Sequence, residues 1–425
     1  MKPTQPIEVS ANRRQAALIE ALASPKRHRD LEHTPGECLD LCIKTGTPFF
    51  LWRTENGAIR LGIGAGRRLS FSSWQKAHDF HVESGEKSPI TFFGGRFDPE
   101  SDVRSDLWEA WKPVETYCPD LMLRWRENEE NAEVVTRHGR GYSFREAKHR
   151  EPLENECAFT AEDWTHGETL VEWNQRVNRL LDAVRDGVLT KVVMVRAVHR
   201  PSVLTPERRQ TIIKNLMAQG TKESVFAIGK GHSIFIGRSP ETLIRRQHGR
   251  VSTHALAGTH LAKGAEPPLI GDAKTHREHA AVVRHLKEKL TPLCEELSIG
   301  PARVRPVGHL VHLETPISAP VSDHHLLELI AHVHPTPALC GEPTQGALDW
   351  LRRNEPLDRG WFGGPVGWFD DAGDGESAVA IRSALLGEKI EVAYAGAGVV
   401  DGSVPEDEWR ETEAKLKTML EALSS

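Results

Sequence analysis

The chain has 425 residues, 39% hydrophobic and 27% charged, with 54 basic against 60 acidic side chains and a formal net charge of −6. Such a chain carries a sizeable core, in one large domain or two or three ordinary ones, and its mixed, mildly acidic charge gives no footing for nucleic acid. No apolar run approaches the ~18 residues that cross a bilayer, and six cysteines in so long a chain make no disulfide framework, so the expectation is a reduced, cytoplasmic protein with no membrane partner.

Residues 1 to 25 read as a polar tail and a first helix, with Glu20 interrupting the one apolar stretch that could serve a signal peptide. Cys38 and Cys42 have neither the spacing nor the second pair of a zinc knuckle. From about 48 to 97, "TPFFLWR", "AIRLGIGAG" and "PITFFGGRFDP" alternate apolar runs with glycines, the pattern of strands and tight turns. A further strand is expected around 119 to 125. Residues 126 to 157 are densely charged and form the best boundary, between a variable part at 1–150 and a core at 151–425 of what is expected to be one structural unit. Apolar residues at 170, 173, 177, 180, 181 and 184 keep a helical period, with Gly187 as the cap. "KVVMVRAVHR" has the β-branched residues of a strand, and "SVFAIGK" and "HSIFIGR" predict a hairpin across Gly229 to Gly231.

"THREHAAVVRHLKEKLTPLCEEL" predicts a second strong helix. "RGWFGGPVGWFD", "SAVAIRSALL" and "IEVAYAGAGVV" alternate strands with glycine turns, and "PEDEWRETEAKLKTMLEALSS" closes the chain as a helix with Pro405 near its first turn. Strands and helices mix without a βαβ rhythm. The fold class is therefore α+β, with layered, largely antiparallel β-sheets flanked by helices. The stretch "AHVHPTPALCGEP", 331 to 343, fits no element: three prolines break both helix and central strand, yet Ala338, Leu339 and Cys340 are types usually buried. A rigid apolar loop of this kind suits the wall of a binding pocket.

Candidate chemistry starts at Lys191. A lysine beside apolar strand residues loses solvation, its pKa falls, and its neutral amine becomes a base; a strand-end lysine reaching solvent fits the same segment. Glu241, in "FIGRSPETLIR", becomes a general acid if an apolar pocket keeps it protonated, or is simply a glutamate at a helix N-terminus. Glu278, Glu406, Glu408 and Glu411 stand on the two predicted helices, with Glu408 and Glu411 three residues apart and Lys415 one turn on. Carboxylates without a histidine–cysteine cluster suit Mg²⁺, although surface i,i+3 and i,i+4 pairs look the same in sequence. Neither "YAGAGVV" nor "GIGAGRR" completes a dinucleotide-binding fingerprint.

The joint order of the motifs is more specific than any one of them. "FFGGRFDP", "LTKVVMVR", "FIGRSPETLIRR", "ALAGT", "THREH", "VHLETP", "HPTPALCGEP", "RGWFGGPVGWFDDAGDGE", "AIRSA", "YAGAGVV" and "PEDEWRETEAKL" resemble, in sequence, the chorismate-utilising enzymes, and among them the isochorismate-forming branch. The resemblance runs from about residue 90 to the C-terminus. It implies an α/β domain of layered antiparallel sheets, a Mg²⁺ requirement and chorismate as the small-molecule partner. By matching motif, Lys191 is implied to activate water for attack at C2 and Glu241 to protonate the departing C4 hydroxyl. Glu278 and Glu411 are implied to hold Mg²⁺, with Glu408 beside them through water. Arg382 and Tyr394, with the backbone of Gly396, Ala397 and Gly398, are implied to hold one carboxylate, and Lys415 lies near the other. Gly258, Thr259 and His312 are implied to line the substrate, and Ala338 and Leu339 to face the ring near C2. A monomer without a glutaminase subunit is expected. The chain departs from the family at His260, usually Arg, and lacks the glycine that commonly follows the Thr-Pro segment. Salicylate synthase is the nearest rival reading. An ammonia-dependent anthranilate or aminodeoxychorismate synthase subunit is the other, and Pro335 to Leu339 lacks the nucleophilic lysine some of those carry.

Overall fold

The computed structural model describes residues 16–23, 30–31, 33–64, 66–85, 88–127, 131–136, 163–218, 222–261, 273–308 and 310–424. Residues 16–23 are helical. The rest of the expected N-terminal tail, and the boundary placed at 150/151, lie outside the described residues.

Two large sheets make the body of the molecule. In the first, strands run in the spatial order Asp30–Leu31, Ala132–Thr136, Leu121–Trp125, Ile59–Ile63, Phe49–Arg53, Ser224–Lys230, Ser233–Ser239, Ser383–Leu386, Ile390–Val400, Lys191–Pro201 and Gly341–Glu342. In the second the order is Ser298–Ile299, Leu310–Pro320, Arg250–Leu261, Thr242–Gln247, Gly375–Val379, Pro365–Phe369, Thr91–Gly95, Val114–Cys118 and Arg67–Phe71. The pairings are antiparallel, as the sequence predicts. Both sheets draw strands from either side of residues 137–162.

An aromatic core fills the space between the sheets, with Phe50, Trp52, Phe226 and Phe235 from one meeting Phe92, Val366 and Ala378 from the other. Helices cover the outer faces. Pro35–Thr45, Pro206–Ala218 and Pro405–Ser424 pack on the first sheet through Cys38, Leu39, Ile212, Leu416 and Met419. Ala273–Leu290 and Leu326–Val333 pack on the second through Val282, Leu286, Leu327 and Ile330.

Several elements depart from the sequence reading for local reasons. The predicted helix 275–297 ends at Leu290 because Pro292 follows, and a single 3₁₀ turn, Thr291–Leu293, succeeds it. Gly229 lies inside its strand opposite Ile234, and the hairpin turns at Gly231, which adopts φ 59°. Residues 331–333 finish the helix Leu326–Val333, and Gly341–Glu342 is a two-residue strand, so the irregular segment shrinks to 334–340. Trp74–Glu83 is a helix within the stretch read as strands and turns.

Two chain segments pass from one sheet into the other, and they do so side by side. Ser233–Ser239 lies in the first sheet and Thr242–Gln247 in the second; Gly375–Val379 lies in the second and Ser383–Leu386 in the first. At the crossing, Arg238 N donates to Arg382 O (3.0 Å) and Val379 N to Glu241 O (3.0 Å). Glu241 and Arg382 thus sit at the corner where both ladders are interrupted.

Charges are buried in pairs along the strand Lys191–Pro201. Arg200 donates to Glu391 Oε2 through Nε (3.2 Å) and Nη2 (2.9 Å), and Nη2 also reaches Leu423 O (2.9 Å), tying the last helix to the sheet. Both side chains are at most 2% exposed. A buried charge left without its partner is costly, whereas an apolar pair of similar size is tolerated. Arg200→Met is therefore expected to lower the unfolding free energy by about 3–5 kcal/mol in urea melts. The double variant Arg200→Met/Glu391→Leu is expected to recover most of the loss; a double variant as unstable as the single would contradict this account.

Candidate active site

A cleft of about 800 Å³, partly open to solvent, lies at the corner where the chain changes sheets. Strand register decides which residues line it. Lys191, Val193 and Val195 share a face with their neighbours Tyr394, Gly396 and Gly398, because Val195 lies opposite Gly396 and Val193 opposite Gly398. Ala397, one residue out of step and opposite Met194, turns to the far face and does not line the cleft. The opposite wall comes from a bulge: the register between Arg250–Leu261 and Leu310–Pro320 slips at Gly258, whose φ is 72°. The slip turns Ala257, Gly258 and Thr259 all toward the cleft. A Cβ on Gly258 would run into Thr275, so glycine is required there.

Of the residues singled out from sequence, Lys191, Glu241, Gly258, Thr259, Glu278, His312, Ala338, Leu339, Arg382, Tyr394, Gly396, Gly398, Glu411 and Lys415 converge on this one cleft. Glu408 does not. It is buried (1% exposed) one turn before Glu411 and outside the lining, since i and i+3 positions on a helix are offset around its axis.

Burial suppresses charge at the two central groups. Lys191 is 3% exposed, and desolvation pulls its pKa below the usual lysine value against the opposing pull of Glu278. Glu241 sits between two strands, not on a helix. Its backbone N–H donates to Ser239 Oγ (3.2 Å), and its carbonyl accepts from Val379 N. Desolvation raises its carboxyl to about 7, partly offset by Lys191, Lys415 and Arg305. The attraction between the two groups favours the charged pair, so at both of them desolvation acts against it and shifts the two proton affinities in opposite directions.

Around them, Glu411 accepts from Lys415 Nζ (2.6 Å), which also donates to Gly396 O (2.8 Å). Arg382 has φ 48°, a strained backbone, and gives Nη1 to Lys415 O (3.1 Å). Burial lowers its pKa to about 10, which still leaves it cationic at neutral pH. Tyr394 accepts from Trp108 Nε1 (3.1 Å), and burial raises its pKa, so the phenol stays protonated. His312 meets Thr259 Oγ1 through Nδ1 (3.2 Å), while Nε2 is buried with no hydrogen-bond partner. Desolvation holds this histidine well below its usual pKa, hence neutral. His260, the departure noted in sequence, engages Thr275 Oγ1 (2.9 Å) at the start of the helix that carries Glu278.

Besides Glu241, two carboxylates, Glu278 and Glu411, face the cleft. A Cβ on Gly398 would stand 3.4 Å from both Lys191 Nζ and Glu278 Oε2, so a bare glycine leaves open the space between them. Among the described residues no group of three or more His, Cys, Asp or Glu side chains stands at metal-binding spacing. Mg²⁺ commonly takes one or two protein carboxylates and completes its shell with water and substrate oxygens, so this donor set fits it.

Sequence reasoning missed Val193, Val195, Pro240, Leu256, Ala257, Arg359, Phe362, Ile381 and Ala395 in the lining. Strand alternation from Lys191 could have found the two valines. Leu256 and Ala257 enter beside the bulge at Gly258 and Ala395 lies between Tyr394 and Gly396 on its strand, while Pro240, Arg359, Phe362 and Ile381 arrive from loops and sheet crossings that carry no periodic signal.

The family described as "Chorismate binding enzyme" matches residues 67–424. The chain is 34% identical over 377 residues to the "Salicylate biosynthesis isochorismate synthase" of Pseudomonas aeruginosa, covering 83% of this chain and 78% of that one. It is 30% identical to "Isochorismate synthase MenF" of Bacillus subtilis, covering 89% of this chain and 88% of that one. Among solved structures it is similar to a "putative 2,3-dihydroxybenzoate-specific isochorismate synthase" from Bacillus anthracis, with TM-score 0.72, 26% identity, and coverage of 91% of this chain and 99% of that chain. It shares its fold with anthranilate synthase component I from Streptococcus pneumoniae at TM-score 0.67 and 19% identity, covering 88% of this chain and 90% of that chain.

Glu241 also makes stability depend on pH. Its folded carboxyl is held at about 7 against an ordinary 4.5. The folded chain keeps a proton that the unfolded chain releases, so stability falls as pH rises from about 4.5 to 7. Glu241→Gln removes this loss. Relative to the parent it is expected to be more stable at pH 8 than at pH 5 by on the order of 2–3 kcal/mol, read from urea unfolding at the two pH values. An equal difference at both pH values would show that Glu241 is not held protonated.

Proposed function

This chain belongs to the chorismate binding enzyme family, and from that membership we propose that it is an isochorismate synthase, an isomerase that adds water at C2 of chorismate and expels the C4 hydroxyl. The observation that carries the reading is the presence in one cleft of a lysine and a glutamate whose charges are both suppressed by burial. Neutral Lys191 has a lone pair to take a proton from water as the water oxygen bonds to C2. Protonated Glu241 has a proton to give to the C4 oxygen as its bond to carbon breaks and the ring double bonds shift. One water enters and one leaves, so the product is an isomer of the substrate. General acid and base in one site require proton affinities moved from their ordinary values in opposite directions, and burial does that here.

The remaining lining suits a dicarboxylate. Arg382 and Tyr394 would hold one carboxylate, the first as a fixed cation and the second as a phenol donor. Lys415 lies toward the other. His312 would give or accept a hydrogen bond at the ring through its unpartnered Nε2. Glu278 and Glu411 would hold Mg²⁺, which when bound supplies positive charge to the substrate's ring carboxylate. The wall at Ala338 and Leu339 offers no nucleophile or amine, which supports water over ammonia as the attacking group. A monomer working without a glutaminase subunit in the cytoplasm fits this reading.

Incubation with chorismate and Mg²⁺, followed by chromatography, is expected to yield isochorismate alone. Salicylate with pyruvate, or a product formed only with added ammonium, would replace this reading with one of its rivals. Lys191→Ala is expected to lower turnover by about 10²–10⁴-fold while chorismate still binds, as titration calorimetry would show; near-normal turnover would remove Lys191 from the role of base.

A further inference from the structure

Arg359 lines the cleft, is 6% exposed, and has no part in the chemistry above. Its hydrogen bonds are spread over three different partners. Nε donates to both carboxylate oxygens of Glu355 (3.0 and 2.8 Å), Nη1 to Leu339 O (3.0 Å) and Nη2 to Val193 O (2.7 Å). The guanidinium lies 4.3 Å from the centre of the Phe97 ring.

What it joins are two carbonyls that cannot join each other. The strand Gly341–Glu342 pairs with Lys191 and Val192 and is only two residues long. Beyond it, Val193 N still donates to Cys340 O (2.7 Å), but there the backbone ladder ends. The wall segment is turned into a tight loop, with Leu339 N and Cys340 N both spent on Thr336 O (3.0 and 2.9 Å), and Pro335 and Pro337 have no N–H to offer. Val193 O and Leu339 O are therefore two acceptors from the two sides of the wall. Only a group with several donors in a fixed fork can bridge them while also holding a carboxylate, and guanidinium is that group. Arg359 also lines a second, smaller recess behind the cleft, together with Phe97, Asp98, Arg104, Leu351 and Arg352, so it stands as the partition between the two.

We propose that Arg359 is a positioning residue for this reaction: it fixes the Ala338–Leu339 wall against the Lys191 strand and so sets the space in which the nucleophilic water meets the base. The inference rests on the proposed function, but its structural half is tested without turnover. In hydrogen–deuterium exchange, Arg359→Met is expected to raise exchange in peptides covering 191–195 and 334–342, and the stability-restored double variant Arg200→Met/Glu391→Leu, at the far end of the same strand, is expected not to. In steady-state kinetics, Arg359→Met is expected to lower kcat about 10²-fold, the cost of a misplacement near 1 Å, with KM for chorismate within threefold. Arg359→Lys, which keeps charge but loses the fork, is expected to recover less than a tenth of that loss. Unchanged exchange at the wall overturns the proposal whatever the enzyme's activity, as does a kcat within threefold of the parent or full rescue by lysine. A parent that makes no isochorismate while the exchange difference holds would overturn the proposed function and leave the positioning of the wall standing.

Discussion

The site depends on two antiparallel segments, 233–247 and 375–386, that leave one sheet for the other at the same level. A sheet ladder satisfies backbone groups as it goes, and breaking it inside a core exposes polar groups that need other partners. Here the two breaks satisfy each other, through Arg238 N to Arg382 O and Val379 N to Glu241 O. The corner is therefore stiff and open at once. It holds Glu241 and Arg382 on backbone with no freedom to relax, in the gap between two sheets where water is scarce. The left-handed φ of Arg382, which costs on the order of 1–3 kcal/mol, persists because both flanking strands are paired.

Everything in the cleft then follows from low solvation. An ammonium and a carboxylate in water would both be charged and mutually neutralising, a resting salt bridge with little chemistry in it. In the cleft, desolvation is the largest influence on Lys191, Glu241 and His312 alike. The surrounding charges are fixed by other bonds: Lys415 to Glu411 and Gly396 O, and Arg305 to Glu314 and to Lys222 O. The fold carries this stress because it is well anchored elsewhere. Arg176 with Glu168 packs a buried pair against the strand that carries Lys191, donating also to Val195 O (3.0 Å), and Arg200 on that strand makes another with Glu391. Stability is spent at the corner and supplied by the strands and helices that frame it.

The loop 334–340 shows how irregular backbone becomes a precise surface. Prolines remove its donors, Thr336 O closes its turn, and Gly341, with φ 153°, brings it onto the Lys191 strand so closely that a side chain there would meet Lys191 O. This wall of the cleft is thus a consequence of where donors are absent, and of one arginine that supplies them from elsewhere.

The sequence by itself determined most of the element types and picked out the candidate groups. The apolar period from 170 to 184 became the helix Leu170–Arg185, the β-branched run after Lys191 became a strand, and the closing helix began at Pro405. These are legible because period and propensity are local properties. The order of the motifs singled out Lys191, Glu241 and their companions, since the chemistry needs those residue types. Only the tertiary structure decided which of them share a cleft. Glu408 and Ala397 fell outside it through helical offset and strand alternation, while Arg359, Phe362 and Ile381 entered it from segments with no period to read. The proton affinities of Lys191 and Glu241 also belong to the tertiary structure, because desolvation is set by what packs around a group and not by its neighbours in the chain.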